Sequence, residues 1–312
     1  MLDRINRYLS LIKFSHTIFA LPFALVGFVL GLTSIQTVPF VFKVNWSALS
    51  QLQKVKIFLE YRYWIFILIL LCMVFARSAA MAFNRYLDRH IDAINPRTKV
   101  REIPAGKITA GKALLFTLIN ATLFVACTWL INELCFYLSF VALLVILGYS
   151  YTKRFTPLCH LVLGLGLSLA PIGAYLAVTG KFAWLPILFS ILVLFWVSGF
   201  DIIYSLQDEE FDKSQNLFSI PSWLGKKNAL LVARVLHFCC LLLLVFIGGQ
   251  GEFGILYWIG ALVFSMLLLV QHRLVKPDDL SKVNLAFMTS NGIASVLFSL
   301  FVITDLLIQL FK

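Results

Sequence analysis

Charge is scarce in this chain: 13% of its 312 residues are charged and 61% are hydrophobic, whereas a soluble domain carries roughly a quarter charged residues. That shortage excludes an ordinary soluble globular fold. The apolar runs are continuous, not alternating, which excludes a transmembrane barrel. The six cysteines (Cys72, Cys127, Cys135, Cys159, Cys239 and Cys240) include no Cys-x-x-Cys pair. They lie in or beside apolar runs and read as small helix-packing residues, not as a redox or zinc set. His16, His90, His160, His237 and His272 form no ligand-like set. No small-residue cleavage signature follows the first apolar run, so no removable signal peptide is expected. No convincing repeat relates the two halves.

What remains is an all-α, polytopic membrane protein, read as a single domain over residues 1–312. A bilayer core about 30 Å thick calls for spans of about 20 residues. Nine are expected, at 15–33, 63–83, 111–132, 136–152, 158–179, 183–203, 227–248, 253–271 and 285–310. The second and sixth should continue as helices to about residues 92 and 212. Segment 34–62 reads as a plain amphipathic loop at the interface. Eighteen of the basic residues fall at the N-terminus and in the even-numbered connections, against six on the opposite side. Positive residues favour the cytoplasmic face, so the N-terminus and those connections are expected there and the C-terminus outside. The net charge of +11 therefore reads as orientation in the membrane, with no nucleic-acid partner.

Against this apolar background two acidic clusters stand out, Asn84–Asp92 and Asp201–Asp212, which together hold seven of the fifteen Asp and Glu residues. Each follows an apolar span on the same expected face. A four-residue step drifts only about 40° around a helix. Asn84, Asp88 and Asp92 therefore share one stripe, and Tyr204, Asp208 and Asp212 share another. Arg77 and Asp201 lie below these stripes, roughly 10 Å deeper. Carboxylates beside hydrocarbon are costly unless something binds them, and two facing sets could hold Mg²⁺ ions that carry a diphosphate. Arg85, Arg89, Lys99, Arg101, Lys153 and Arg154 would surround such a group. A salt-bridge role remains the plainer alternative for either cluster alone. The Gly164-Leu165-Gly166 stretch lies inside a span and points to close helix packing, not to a nucleotide loop.

These residues resemble the UbiA superfamily of intramembrane prenyltransferases. Its Asn-x-x-x-Asp-x-x-x-Asp signature is matched by Asn84, Asp88 and Asp92, and its second Asp-x-x-x-Asp by Asp208 and Asp212. The Tyr149–Arg154 and Asn95–Arg101 flanks fit as well. His16-Thr17-x-Phe19-x-Leu21-Pro22 and Ser219-Ile220-Pro221 resemble the 4-hydroxybenzoate polyprenyltransferase branch, which includes menaquinone-route members. Two departures are Arg85, where many members carry Asp, and the absence of a Lys and Gly after the second motif, where Asn216 and Phe218 stand. The resemblance implies nine helices around a central cavity with a cytosolic cap, in a bacterial-type inner membrane. It implies Mg²⁺-dependent transfer of a polyprenyl group from polyprenyl diphosphate to an aromatic acid, in respiratory quinone synthesis. Asn84, Asp88, Asp92, Asp208 and Asp212 would hold the metal and diphosphate, with Lys153, Arg154 and Arg101 gripping substrate. Asp201 and Tyr204 would lie near the acceptor, Asp201 as base or orienting group, and Arg77 would pair with the acceptor carboxylate. The acceptor stays open between 4-hydroxybenzoate and 1,4-dihydroxy-6-naphthoate. A secondary transporter is the rival from another class, but transporters bind near the midplane, whereas these carboxylates lie at one face.

Overall fold

The computed structural model describes residues 8, 10–12, 19–38 and 45–311. His16, Thr17, Arg4, Arg7, Lys13, Lys43 and Lys312, and residues 15–18 of the first expected span, lie outside the described residues. In chain order the helices are α1 (Leu21–Thr33), α2 (Gln51–Arg62), α3 (Trp64–Leu87), α4 (Arg89–Ile94), α5 (Ala110–Ile131), α6 (Glu133–Thr152) and α7 (Cys159–Thr179). They continue with α8 (Trp184–Ser205), α9 (Glu209–Ser214), α10 (Ile220–Gln250), α11 (Ile255–Leu274) and α12 (Asn291–Leu310). A π-helical stretch, Leu285–Ser290, leads into α12. Eight of the described helices are long and apolar enough to cross a membrane. The first expected span, 15–33, is represented by α1, a shorter apolar helix of 13 residues.

Side chains that cap helix ends explain several boundaries. The Thr109 hydroxyl accepts the Lys112 amide at the start of α5, and the Asn132 side chain accepts the Cys135 amide at the start of α6. Gly180, at φ 65°, ends α7 in the left-handed conformation that only glycine adopts without strain. Ser219 and Ser222 form a capping box at the start of α10, where Pro221 occupies the first turn. Gly225, at φ 77°, kinks α10 after that turn. The apolar residues on the outside, such as Leu144, Trp184 and Ile255, are exposed, as expected of helices solvated by lipid.

One expectation is corrected. Segment 34–62 is not a plain loop, because residues 51–62 form the helix α2. Ser50 and Gln53 make a capping box, which satisfies two amides at its start. Gln51 then donates to the carbonyls of Leu32 and Ile35 at 3.0 and 3.2 Å, so α2 closes the C-terminal end of α1. An amphipathic pattern alone suits loop or helix, and the Ser50–Gln53 cap decides for the helix.

Each long helix packs on its neighbours in sequence, and α1 is inserted between α7 and α12. Glycine makes this possible: a Cβ on Gly27 would lie 2.0 Å from the Pro171 carbonyl oxygen of α7. A Cβ on Gly164 would lie 2.3 Å from the Ser198 hydroxyl of α8, so this stretch is a packing device, as expected. The six cysteines are free thiols. Between α3, α5, α6 and α7 lies a cavity of 340 Å³, lined by apolar side chains that include Ile69, Met73, Phe124, Leu138 and Leu167. Arg77 and Tyr149 also line it.

Candidate active site

The helix carrying the first motif does continue past its span, but it breaks at Asp88. There the backbone turns (φ −88°, ψ 5°) between α3 and α4. The Asp88 amide still donates to the Asn84 carbonyl at 2.9 Å, and that of Asp92 to the Asp88 carbonyl at 2.7 Å. The stripe therefore survives the break. Asn84 Nδ2 donates to Asp88 Oδ2 at 3.1 Å. Asp88 is almost wholly buried, and Lys153 Nζ and Arg154 from the end of α6 meet its two oxygens at 2.5 and 2.9 Å. Arg154 also donates to the carbonyls of Ser150 and Leu87 at 2.8 and 3.3 Å, which fixes its guanidinium between α3 and α6. Asp92, likewise buried, takes Arg101 on Oδ1 at 2.6 Å.

The second motif comes to the same place. Asp208 accepts from Arg97 Nε at 2.9 Å and from Asn95 Nδ2 at 3.3 Å, and a second guanidinium nitrogen of Arg97 bonds its other oxygen. Arg97 also donates to the Tyr204 hydroxyl at 3.2 Å and lies over that ring. Burial works against the Arg97 charge, but the hydrogen bond and the charge of Asp208 outweigh it and hold its pKa above the ordinary guanidinium value. Asp212 accepts the Ser219 hydroxyl at 2.9 Å. The segment that follows Asp212 reaches the first cluster, because the Phe218 amide donates to the Lys153 carbonyl at 2.7 Å. Deeper on α8, Asp201 Oδ2 lies 2.7 Å from His160 Nδ1. Tyr149 stands within electrostatic reach of Asp88, Arg85 and Asp201. It connects the charged layer to the cavity below.

The structure thus gathers Asn84, Asp88, Lys153 and Arg154 into one knot, Asp92 and Arg101 into a second, and Tyr204 and Asp208 into a third. Arg77 is not in the charged layer; it lines the cavity beneath. Arg89, expected to surround a diphosphate, instead donates to the Tyr86 carbonyl at 2.8 Å and lies over that ring. Arg85 is buried within reach of the charges of Arg101, Asp92 and Glu102.

Arg97, Asn95, His160 and Ser219 were missed as site residues. Asn95 and Arg97 lie in the flank of the first motif, but the partner of Arg97 is 111 positions away, so spacing gives it no role. For His160 the available signal is an ionisable side chain at the head of a span.

The donor set suits a hard divalent cation, since it consists of carboxylate and amide oxygens. Asp92 Oδ2 is buried with no hydrogen-bond partner among the described residues, which leaves a charged lone pair for such an ion. No three carboxylate, histidine or cysteine side chains among the described residues converge as a closed cage. Mg²⁺ keeps waters and is completed by substrate phosphate oxygens, so it does not require a closed protein cage.

Fold and site together define a class: a helical enzyme of the membrane, with a layer of carboxylates and cations over an apolar intramembrane cavity. The chain belongs to the UbiA prenyltransferase family, whose model matches residues 20–293, and it is a prenyltransferase. It is 31% identical over 223 residues to the 4-hydroxybenzoate octaprenyltransferase of Tolumonas auensis, covering 72% of this chain and 78% of that one. It is 33% identical over 243 residues to the enzyme of the same name from Nitrosomonas europaea, covering 75% and 80%. Among solved structures, the apo UbiA homologue of Aeropyrum pernix K1 matches with a TM-score of 0.73 and 26% identity, over 94% of this chain and 98% of that one. The Archaeoglobus fulgidus homologue, bound to GPP and Mg²⁺, shares the fold with a TM-score of 0.70 and 21% identity, over 96% and 99%.

Arg97→Ala is expected to lower kcat/KM about 10²-fold, because it unties the loop after the first motif from Asp208. Arg97→Lys should recover little of this, since an ammonium cannot bond both carboxylate oxygens and the Tyr204 hydroxyl together. Steady-state kinetics of the two variants check it.

Proposed function

We propose that this chain transfers a polyprenyl group from polyprenyl diphosphate to an aromatic acid of the 4-hydroxybenzoate type in respiratory quinone synthesis. The observation that carries this reading is the meeting of two acidic motifs, joined by Asn95 and Arg97, above an apolar cavity with Arg77 in its wall. The names of the relatives at about 30% identity support the acceptor class, and the ligands of the Archaeoglobus fulgidus homologue support the donor and the metal.

Asn84, Asp88, Asp92, Asp208 and Asp212 would hold Mg²⁺. When bound, that ion supplies Lewis-acid stabilisation of the departing diphosphate. Lys153, Arg154, Arg101 and Arg97 balance carboxylates in this structure. They become donors to phosphate oxygens once diphosphate brings its own charge into the layer. The polyprenyl tail lies in the apolar cavity, which keeps water from the allylic carbon. As its C–O bond breaks, the electron pair leaves with diphosphate, and the ring carbon ortho to the phenolic oxygen bonds the allylic carbon. The ring proton then passes to a carboxylate, for which Asp201 is the candidate. Arg77 pairs with the acceptor carboxylate, and Tyr204 stands near the acceptor. Residues 1–312 act as one domain, with the charged layer on the cytoplasmic side of the inner membrane and the C-terminus outside.

The test is turnover by purified protein in lipid nanodiscs, given a polyprenyl diphosphate with either 4-hydroxybenzoate or 1,4-dihydroxy-6-naphthoate. Prenylated 4-hydroxybenzoate is expected by mass spectrometry, with one diphosphate released per product. Chelation by EDTA should stop it and added Mg²⁺ restore it. Product with the naphthoate alone would move the chain to the menaquinone route, and none with either acceptor would refute the reading.

A further inference from the structure

Asp201 is held from behind by a histidine that the proposed reaction does not use. His160 sits in the first turn of α7 and is 3% exposed. Its Nδ1 lies 2.7 Å from Asp201 Oδ2, and its Nε2 lies 3.3 Å from the backbone nitrogen of Ile220. A backbone N–H only donates, so Nε2 must be the ring's acceptor. The proton of the neutral imidazole is then on Nδ1, directed at the carboxylate. The turn that carries the ring is also held close to α8: Gly164, one turn on, has no room for a Cβ beside Ser198.

The consequence falls on the second carboxylate oxygen. Asp201 Oδ1 takes no hydrogen bond from a described side chain, and the Asp201 side chain keeps 21% of its surface exposed. A free aspartate could rotate and offer either oxygen; one anchored through Oδ2 presents Oδ1 in one direction. An ionised carboxylate oxygen only accepts, so the group that suits it is a proton donor such as a phenolic O–H. The same histidine holds Ile220, whose neighbour Ser219 bonds Asp212. Ser219 is itself fixed by its capping box with Ser222, so Asp212 keeps this partner without the histidine.

We propose that His160 is a positioning residue for prenyl transfer, which fixes Asp201 so that Oδ1 receives the acceptor's phenolic hydroxyl and sets the ring face offered to the allylic carbon. This rests on the prenyl-transfer reading above. A purely structural histidine, one that only ties α7 and α8 to the start of α10, is the competing account.

The two accounts part at two substitutions. In His160→Asn the side-chain amide can stand near the place of Nδ1 and still donate to Asp201, while the bond to Ile220 is lost. His160→Leu removes both bonds. The expected result is a rise of about tenfold in the KM for the aromatic acid in His160→Leu, with the KM for polyprenyl diphosphate changed by less than about twofold. His160→Asn should recover most of that loss. In ¹⁵N-histidine NMR of the purified protein, the signals lost in His160→Asn should be those of an Nδ1-protonated neutral ring. Equal impairment of the two variants, equal shifts in both KM values, or an Nε2-protonated ring would overturn the proposal while wild-type turnover left the parent reading intact. Absence of wild-type turnover with every aromatic acid would overturn both.

Discussion

Asp88→Asn is expected to lower kcat/KM for prenyl transfer by about 10³-fold or more. The carboxylate is nearly inaccessible and accepts three side chains at once, from Asn84, Lys153 and Arg154. An amide of the same shape keeps the volume and loses the charge. Its nitrogen would face cationic donors, and its one oxygen could not serve both. Whatever assembly of metal and diphosphate forms here would lose a ligand and the anchor that places Lys153 and Arg154. The fold should survive, because the turn at Asp88 is made by backbone bonds and the two cations retain 28% and 30% exposure to solvent. Product formation measured beside thermal unfolding checks this. Activity within about tenfold of wild type would remove Asp88 from the reacting assembly.

Gly27→Val should be the most damaging change away from the charged layer. A Cβ at Gly27 would meet the Pro171 carbonyl oxygen at 2.0 Å, its carbon at 2.7 Å and its Cα at 2.9 Å. All three are backbone atoms of a helix, so no rotamer change can make room. To admit even one methyl group α1 must lift from α7, and valine adds two more. A loss above about 4 kcal/mol is expected, in the range of the severe packing defects. The sign is visible as a loss of monodisperse protein after detergent extraction. Gly148→Ala is the control: nothing lies within 4 Å of its Cβ position. There the only change is helix propensity, which favours alanine by about 1 kcal/mol.

Much of this protein is legible from local spacing. The step of four in Asn84, Asp88 and Asp92 specifies a shared helical face whatever surrounds it, and that face is found even though the helix breaks at Asp88. The free cysteines and the packing role of Gly164 follow from local context in the same way. Helix α2 was legible too, in the Ser50–Gln53 capping box, but its amphipathic pattern alone did not distinguish helix from loop.

Other features were not available at any spacing. Arg97 reads as a basic residue in the flank of the first motif, with no partner, until folding brings Asp208 to it across 111 positions. His160 reads as an isolated histidine until α7 and α8 set its ring 2.7 Å from Asp201. Arg89 is another arginine between α3 and α5, yet it bonds the carbonyl of nearby Tyr86 and not a distant carboxylate.

The sequence by itself determined the class of solvent, the position of most spans, and the stripe on which each carboxylate stands. Hydropathy and helical periodicity act over one or two turns, so they need no knowledge of distant residues. Only the tertiary structure decided which cation balances which carboxylate, where the cavity lies beneath them, and which histidine braces the deep aspartate. Those pairings depend on the angle and depth at which helices cross. That geometry is set by the sum of many weak contacts, such as the glycine at α1 and the proline it meets on α7, and not by any one stretch of chain.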